Sequence, residues 1–161
     1  MLGSKAARLA AIGAAVALAL GVVFYPTDEK RVRQATEALV SAANEGPNAL
    51  AQALDQYAAP NVTVSADELP EPLVGQAAIV EAARRVSQLG VQLRLHADAI
   101  EVRVEGKRAR LTADLAASQA EVPELRRPRH SVLVFEKHAA GFRLLSAEIG
   151  AERQDLPEAR P

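Results

Sequence analysis

The sequence predicts an α+β domain: a cone-shaped layer of three helices packed on a curved antiparallel sheet, preceded by a single transmembrane helix. Three observations carry this. Apolar residues recur at helical spacing in three segments before Gly90, and from Val91 onward the period changes from 3.6 to 2. A charge-free apolar run stands near the amino terminus. Helices segregated to one face of antiparallel strands make an α+β layer.

The apolar run comes first. Between Arg8 and Asp28 lies LAAIGAAVALALGVVFYPT, which has no charged residue. At about 1.5 Å rise per residue it nearly covers a hydrocarbon core of roughly 30 Å. It is apolar on all sides, which argues against an amphipathic core helix. Lys5 and Arg8 precede it, so residues 1–8 read as a cytoplasmic segment and 9–25 as a signal anchor in the lipid bilayer. The competing reading is a signal peptide cleaved near Ala19, using the small-residue pattern Ala17-Leu18-Ala19, with a secreted product. That product would carry Leu20, Val22, Val23, Phe24 and Tyr25 at an exposed end, whereas an anchor places Phe24 and Tyr25 at the outer interface. The anchor is preferred. It implies a bacterial-type, single-pass inner-membrane protein whose domain, residues 28–150, faces the extracytoplasmic side.

Thr27 caps the first helix, and Asp28 and Glu29 sit in its first turn, where the helix dipole favours acids. Val32, Ala35, Thr36, Leu39 and Ala43 give a helix over 28–44. Asn44-Glu45-Gly46-Pro47 breaks it, and Pro47 opens a second helix with the stripe Leu50, Ala53, Leu54, Tyr57, ended by Pro60. A short strand, NVTVS at 61–65, and the polar loop ADELPEPLVG follow. After Gly75 a third helix carries Ile79, Ala82, Ala83, Val86 and Leu89, and Gly90 ends it. Strands follow at 91–105, 108–119, 130–137 and 142–149, with hairpin turns at Glu105-Gly106-Lys107 and Ala139-Ala140-Gly141. Pairing across the first turn sets Glu105 against Arg108 and Val104 against Ala109. EVPELRRPR reads as a longer loop because its prolines and mixed charge defeat a strand, and the tail 151–161 reads as disordered.

One strand contains a contradiction. In VQLRLHADAIEVRV, residues 91–104, Val91, Leu93, Leu95, Ala97 and Ala99 share one parity, while Ile100, Val102 and Val104 share the other. A one-residue slip moves the apolar set to the opposite face. A β-bulge at Ala99-Ile100 absorbs the extra residue and bends the strand, so the sheet can curl around helices. Two separate strands joined by a kink give nearly the same fold.

Composition excludes several function classes. Aromatics are 3% with no Trp, so the core must be built of Ala, Leu and Val. A net charge of -1 gives no electrostatic footprint for nucleic acid, and the basic loop Arg126, Arg127, Arg129 lacks interleaved aromatics. With no Cys there is no thiolate nucleophile and no Cys-based zinc site. His96, His130 and His138 are scattered, and no ligand set for a metal or cofactor is evident. His96 shares parity with Gln92, Arg94 and Asp98, on the outer or partner-facing side of its strand.

Three local matches in order, YAAPNVTVS, VGQAAIVEA and GFRLLSAEI, resemble the nuclear transport factor 2-like superfamily in its SnoaL-like branch, over roughly residues 28–150. The resemblance implies a cone with a pocket between helices and sheet, and a homodimer through the sheet. Its members include isomerases, dehydratases, polyketide cyclases and many non-catalytic scaffolds, so fold alone does not choose. In the ketosteroid isomerase-like members the general base is an Asp at the end of the short first strand, and that place falls on Ser65. Asp67, two residues on, is the candidate base, and Tyr57 the candidate helper, although core packing suits Tyr57 better. Leu111, Ala113 and Leu115, on the inward parity that runs Ala109 to Ala117, are with Tyr57 the candidate lining for an apolar small molecule. An enzyme pocket adds convergent polar groups, and no convincing set stands out. The expectation is therefore a non-catalytic scaffold or apolar-ligand-binding domain in a protein assembly at the cell envelope. The alternative is an isomerase, dehydratase or cyclase acting on a small apolar substrate.

Overall fold

The computed structural model describes residues 27–90, 92–119 and 128–150. The expected anchor over 9–25, the segment 1–8, most of the loop 121–129 and the tail 151–161 lie outside the described residues. No helix among the described residues is long and apolar enough to cross a membrane.

The three helices are α1 (Asp28–Glu45), α2 (Pro47–Tyr57) and α3 (Gln76–Gln88). Thr27 Oγ1 accepts from the Lys30 N–H at 3.3 Å, satisfying one of the free donors of the first turn. Gly46, at φ 128°, separates α1 from α2 in a backbone conformation that side chains resist. Val32, Ala35, Thr36, Leu39 and Ala42 of α1 and Leu50, Ala53 and Leu54 of α2 are buried against the sheet. On α3 only Val80 is buried, so most of its apolar stripe stays partly open.

The sheet has six strands: β1 (Ala58–Ala66), β2 (Leu73–Val74), β3 (Leu93–Glu105), β4 (Arg108–Gln119), β5 (Arg129–His138) and β6 (Gly141–Ile149). Their spatial order is β2-β1-β6-β5-β4-β3. β3 through β6 form the expected antiparallel run, and Glu105 pairs with Arg108 and Val104 with Ala109. The sheet as a whole differs from the fully antiparallel one expected, because β1 runs parallel to β6, pairing Val64 with Ala147 and Ala66 with Ile149. Parallel partners need a long connection, and here nearly the whole sheet intervenes. The expected loop after β1 also contributes the two-residue strand β2, paired to Thr63 and Val64.

The parity contradiction resolves as a bulge. Asp98 pairs with Asp114 and Glu101 with Thr112, so Ala99 and Ile100 together face Ala113. Ala99 sits at φ 51°, the only non-glycine among the described residues with a left-handed backbone. Beyond the bulge Ile100, Val102 and Val104 join the same inner face as Leu95 and Ala97, opposite Leu111 and Ala109 on β4. Further register shifts on β1 and at Val134/Phe135 add to the bend.

The helices fill the concave face. Phe135, Leu111, Val32 and Val62 are fully buried, with Ala109 and Ala113 letting helix and strand approach closely. The inward series does not run to Ala117 as expected: Ala117 is exposed, while Ala116 and Ser118 are buried on the opposite face, where Ser118 Oγ lies 3.5 Å from His96 Nε2. The helices stop covering β4 near Leu115, which is only partly buried.

A left-handed alanine costs about 1–2 kcal/mol, most of which glycine avoids. Ala99→Gly should therefore raise the unfolding free energy measured by chemical denaturation, by about 0.5–1 kcal/mol after glycine's own entropy cost. Ala99→Val should lower it by about 1–3 kcal/mol.

Candidate functional site

The chain turn between α1 and α2, the apolar stripe of α3 and the start of β3 do not close on one another. They leave a cleft of about 460 Å³, a size typical of small-molecule sites. Ala43, Leu50, Ile79, Ala83, Val86 and Leu95 supply its apolar walls, and Glu45, Ser87, Gln92 and Arg94 lie around them. Each residue is there for a local reason. Helical spacing puts Ile79, Ala83 and Val86 on one face of α3. The bulge at Ala99 keeps Leu95 on the inner face of the sheet while it stays paired to β4, so Leu95 forms the wall of the cleft opposite α3.

One side chain holds the mouth in shape. β3 is an edge strand, with backbone groups lacking strand partners on one side. The Asn44 amide Nδ2 donates to Leu95 O at 2.9 Å, and the Leu95 N–H donates to Asn44 Oδ1 at 2.6 Å. Asn44 thus stands in for a neighbouring strand. Arg33 Nη2 donates to Ile100 O at 3.1 Å, fixing the same edge beside the bulge.

The residues singled out from the sequence are dispersed. Leu111 and Ala113 lie in the packed core, filling the space a deeper pocket would need, and Leu115 is partly buried at its margin. Tyr57 packs at the end of α2 and lines a different cavity. Asp67 lies beyond the far end of β1, which separates it from Tyr57 by nine residues. At about 3.3 Å per extended residue, that is well outside hydrogen-bond reach. Asp67 is exposed and accepts from Arg129 Nη1 at 3.3 Å, while Arg129 also pairs with Glu68. It leans over Gly150, where an added Cβ would come within 2.5 Å of Asp67 Oδ2. Ser65 lies in β1, paired to Glu148.

The histidines occupy the sheet's outer side and hairpin ends. His130 Nδ1 is 3.6 Å from Asp114 Oδ1, and His138 Nε2 is 3.4 Å from Glu136 Oε2. Among the described residues no group of three or more His, Asp or Glu could hold a metal ion. The cleft itself has the chemistry of a binding site, with apolar walls and an amide-stitched rim. Sequence inspection missed Asn44 and Leu95, because only the contact across the cone gives them a role.

No family model and no curated protein matches the chain. Solved structures do resemble it. A candidate dehydratase of the nuclear transport factor 2-like family from Streptomyces avermitilis superposes with a TM-score of 0.62 at 17% identity, covering 76% of this chain and 94% of that one. A nuclear transport factor 2-like protein of unknown function from Pseudomonas putida gives 0.65 at 12% identity, covering 83% and 96%. A candidate aromatic ring hydroxylase from Novosphingobium aromaticivorans gives 0.61 at 15% identity, covering 76% and 87%. At these identities the likeness is one of fold, and the fold is nuclear transport factor 2-like.

Replacing Asn44 tests the rim. Asn44→Ala should lower stability by about 1 kcal/mol in equilibrium unfolding. Amide hydrogen exchange at Leu95 should accelerate in the same variant while the β4–β5 ladder keeps its protection. Asn44→Asp keeps the acceptor but sets a carboxylate against Leu95 O, and should cost at least as much.

Proposed function

We propose that the chain is a membrane-tethered binding module of the cell envelope, whose apolar cleft takes an apolar small molecule as part of a protein assembly. The observation that carries the reading is the open stripe of Ile79, Ala83 and Val86, which faces Leu50 and Leu95 across about 460 Å³. Apolar surface left in a concave, partly enclosed place gains most from an apolar ligand. The charge-free segment 9–25 supports the tether. α1 opens at Asp28, so the domain would sit close to the bilayer, where tethering raises the effective concentration of partners in the same membrane. A second copy would meet the outer face of the sheet, where Val132 and Val134 lie in register with Thr112 and Ser146.

The rival reading is an isomerase, dehydratase or cyclase. The name of one structural neighbour, the candidate dehydratase, favours it, and the separation of Asp67 from Tyr57 weighs against that particular pair.

An alkyl diazirine photoprobe tests the cleft. Labelling of the full chain in membranes should concentrate on residues 79–95. Ala83→Phe, which fills the cleft from one wall, should reduce that labelling several-fold while changing stability by less than about 1 kcal/mol. Label spread evenly over the domain, or unchanged by Ala83→Phe, would refute the site. The tether is tested by fractionation with amino-terminal sequencing. The chain should stay in washed membranes with residues 9–25 intact, and a soluble form beginning at Leu20 would refute the anchor.

A further inference from the structure

The strand register decides which side chains the sheet turns away from the helices. Ala109, Leu111, Leu133 and Phe135 are buried in the core, so the residues between them project from the outer face. Four residues of that face stand in one row across the strands. Glu105 of β3 pairs with Arg108 of β4, Arg108 with Glu136 of β5, and Glu136 with Arg143 of β6. Their charges alternate: minus, plus, minus, plus. Among the described residues Glu105, Arg108 and Arg143 make no ion pair, and Glu136 meets only His138. One step along the strands Arg110 stands beside Val134, and at the next Thr112 stands beside Val132.

A row that alternates in this way is its own complement when read backwards. A second copy, turned about a two-fold axis that runs along the strands between β4 and β5, presents the same row in reverse order. Glu105 then faces the partner's Arg143, and Arg108 the partner's Glu136, each pair occurring twice because such a contact is isologous. The same rotation sets Thr112 against the partner's Val132, and lays the stem of Arg110 along the partner's Val134. One like-charged contact results, Glu101 with the partner's Glu148. It lies at the margin of the contact, where the twist of both sheets carries the strands apart.

A two-fold axis across the strands is the other way to stack two such faces. It sets Arg103 and Arg110 over the partner's Asp98 and the partner's Asp114, so charge alone does not choose between the two. The tether does. α1 opens at Asp28 directly after the charge-free segment, at the end of the sheet that carries the row, where Asp28 is bound by Lys137 at 2.6 Å. Copies turned end for end would send their lead-in segments in opposite directions. An axis along the strands sends both the same way, as one bilayer requires. We infer that a second copy docks on this face like end to like end, with Glu105 on the partner's Arg143 and Arg108 on the partner's Glu136. Exposed ion pairs are individually weak, and sharing a membrane raises the effective concentration of the two copies. The inference rests on the second-copy contact and the tether proposed above, and fixes the orientation that reading leaves open.

The chain contains no cysteine, so single cysteines map the contact cleanly. The full chain is reconstituted in phosphatidylcholine vesicles and treated with a short bis-thiosulfonate reagent. Thr112→Cys should cross-link to itself in either orientation. Val134→Cys should do so only when like ends meet, because end-for-end copies hold these positions roughly 13 Å apart along the strands. With Val134→Cys as reporter, Arg108→Glu and Glu136→Arg should each reduce the cross-linked fraction several-fold. The two variants reconstituted together, one carrying a size tag, should recover it as heterodimer, since only unlike copies then complement each other. Glu105→Arg and Arg143→Glu should behave in the same way. No cross-link through Thr112→Cys removes the second-copy reading together with this inference. A cross-link through Thr112→Cys without one through Val134→Cys overturns the orientation alone. Mixtures that recover no better than the single variants overturn the charged row.

Discussion

The bend at Ala99 is the constraint from which the rest of the architecture follows. β3 must keep an apolar inner face on both sides of an odd residue, and the left-handed backbone at φ 51° lets two residues stand against Ala113. The strand turns there, and the sheet turns with it. Without the turn, β3 would lie flat beside β4, and Leu95 would point away from α3 and α1. With it, the edge of β3 swings within reach of α1, where Asn44 and Arg33 take up its exposed backbone groups. The helix thereby guards an edge that would otherwise pair with another chain, and one wall of the apolar cleft is fixed by the same bonds.

The cone that results has two unlike ends. Its interior is not hollow: Phe135, Leu111 and Val32 meet in the middle with no exposure, so nothing passes from one end to the other. The end carrying Gly46 and the open stripe of α3 is apolar, and the end carrying Arg31 and the β5–β6 turn is polar and free of carboxylates within its cavity. α1 and α2 run antiparallel between them, so each helix contributes to both cavities with opposite termini. A substitution in the middle of either helix would act on both ends through packing rather than through contact with a ligand.

Much of this was legible in the sequence, and for identifiable reasons. Helix periodicity and the change to period two located every long element, because apolar spacing is a local property. The slip between Ala99 and Ile100 could be seen because a bulge leaves its mark within a single strand. Pairing between distant segments leaves no such mark: nothing in NVTVS says that β1 will lie parallel to GFRLLSAEI rather than beside its sequence neighbours. For the same reason the inward series on β4 was carried two residues too far, to Ala117, since parity says which side a residue takes but not where the covering helix ends. Asp67 and Tyr57 looked eligible by type, yet β1 keeps them apart and Arg129 occupies Asp67. Asn44 read only as a helix breaker.

Where the binding capacity sits follows from the composition. A chain with 3% aromatics and many alanines has little bulk with which to fill a wide cone. Helices and sheet must therefore close in, and Ala35, Ala53, Ala109 and Ala113 let them do so at the centre. The closing stops where α3 no longer meets β3. Space survives at the mouth and not in the depth of the cone, so a ligand of the proposed cleft would bury one end against Leu50 and Ile79 and leave the other at the surface beside Arg94 and Glu45. A molecule with an apolar body and a solvated end satisfies both demands.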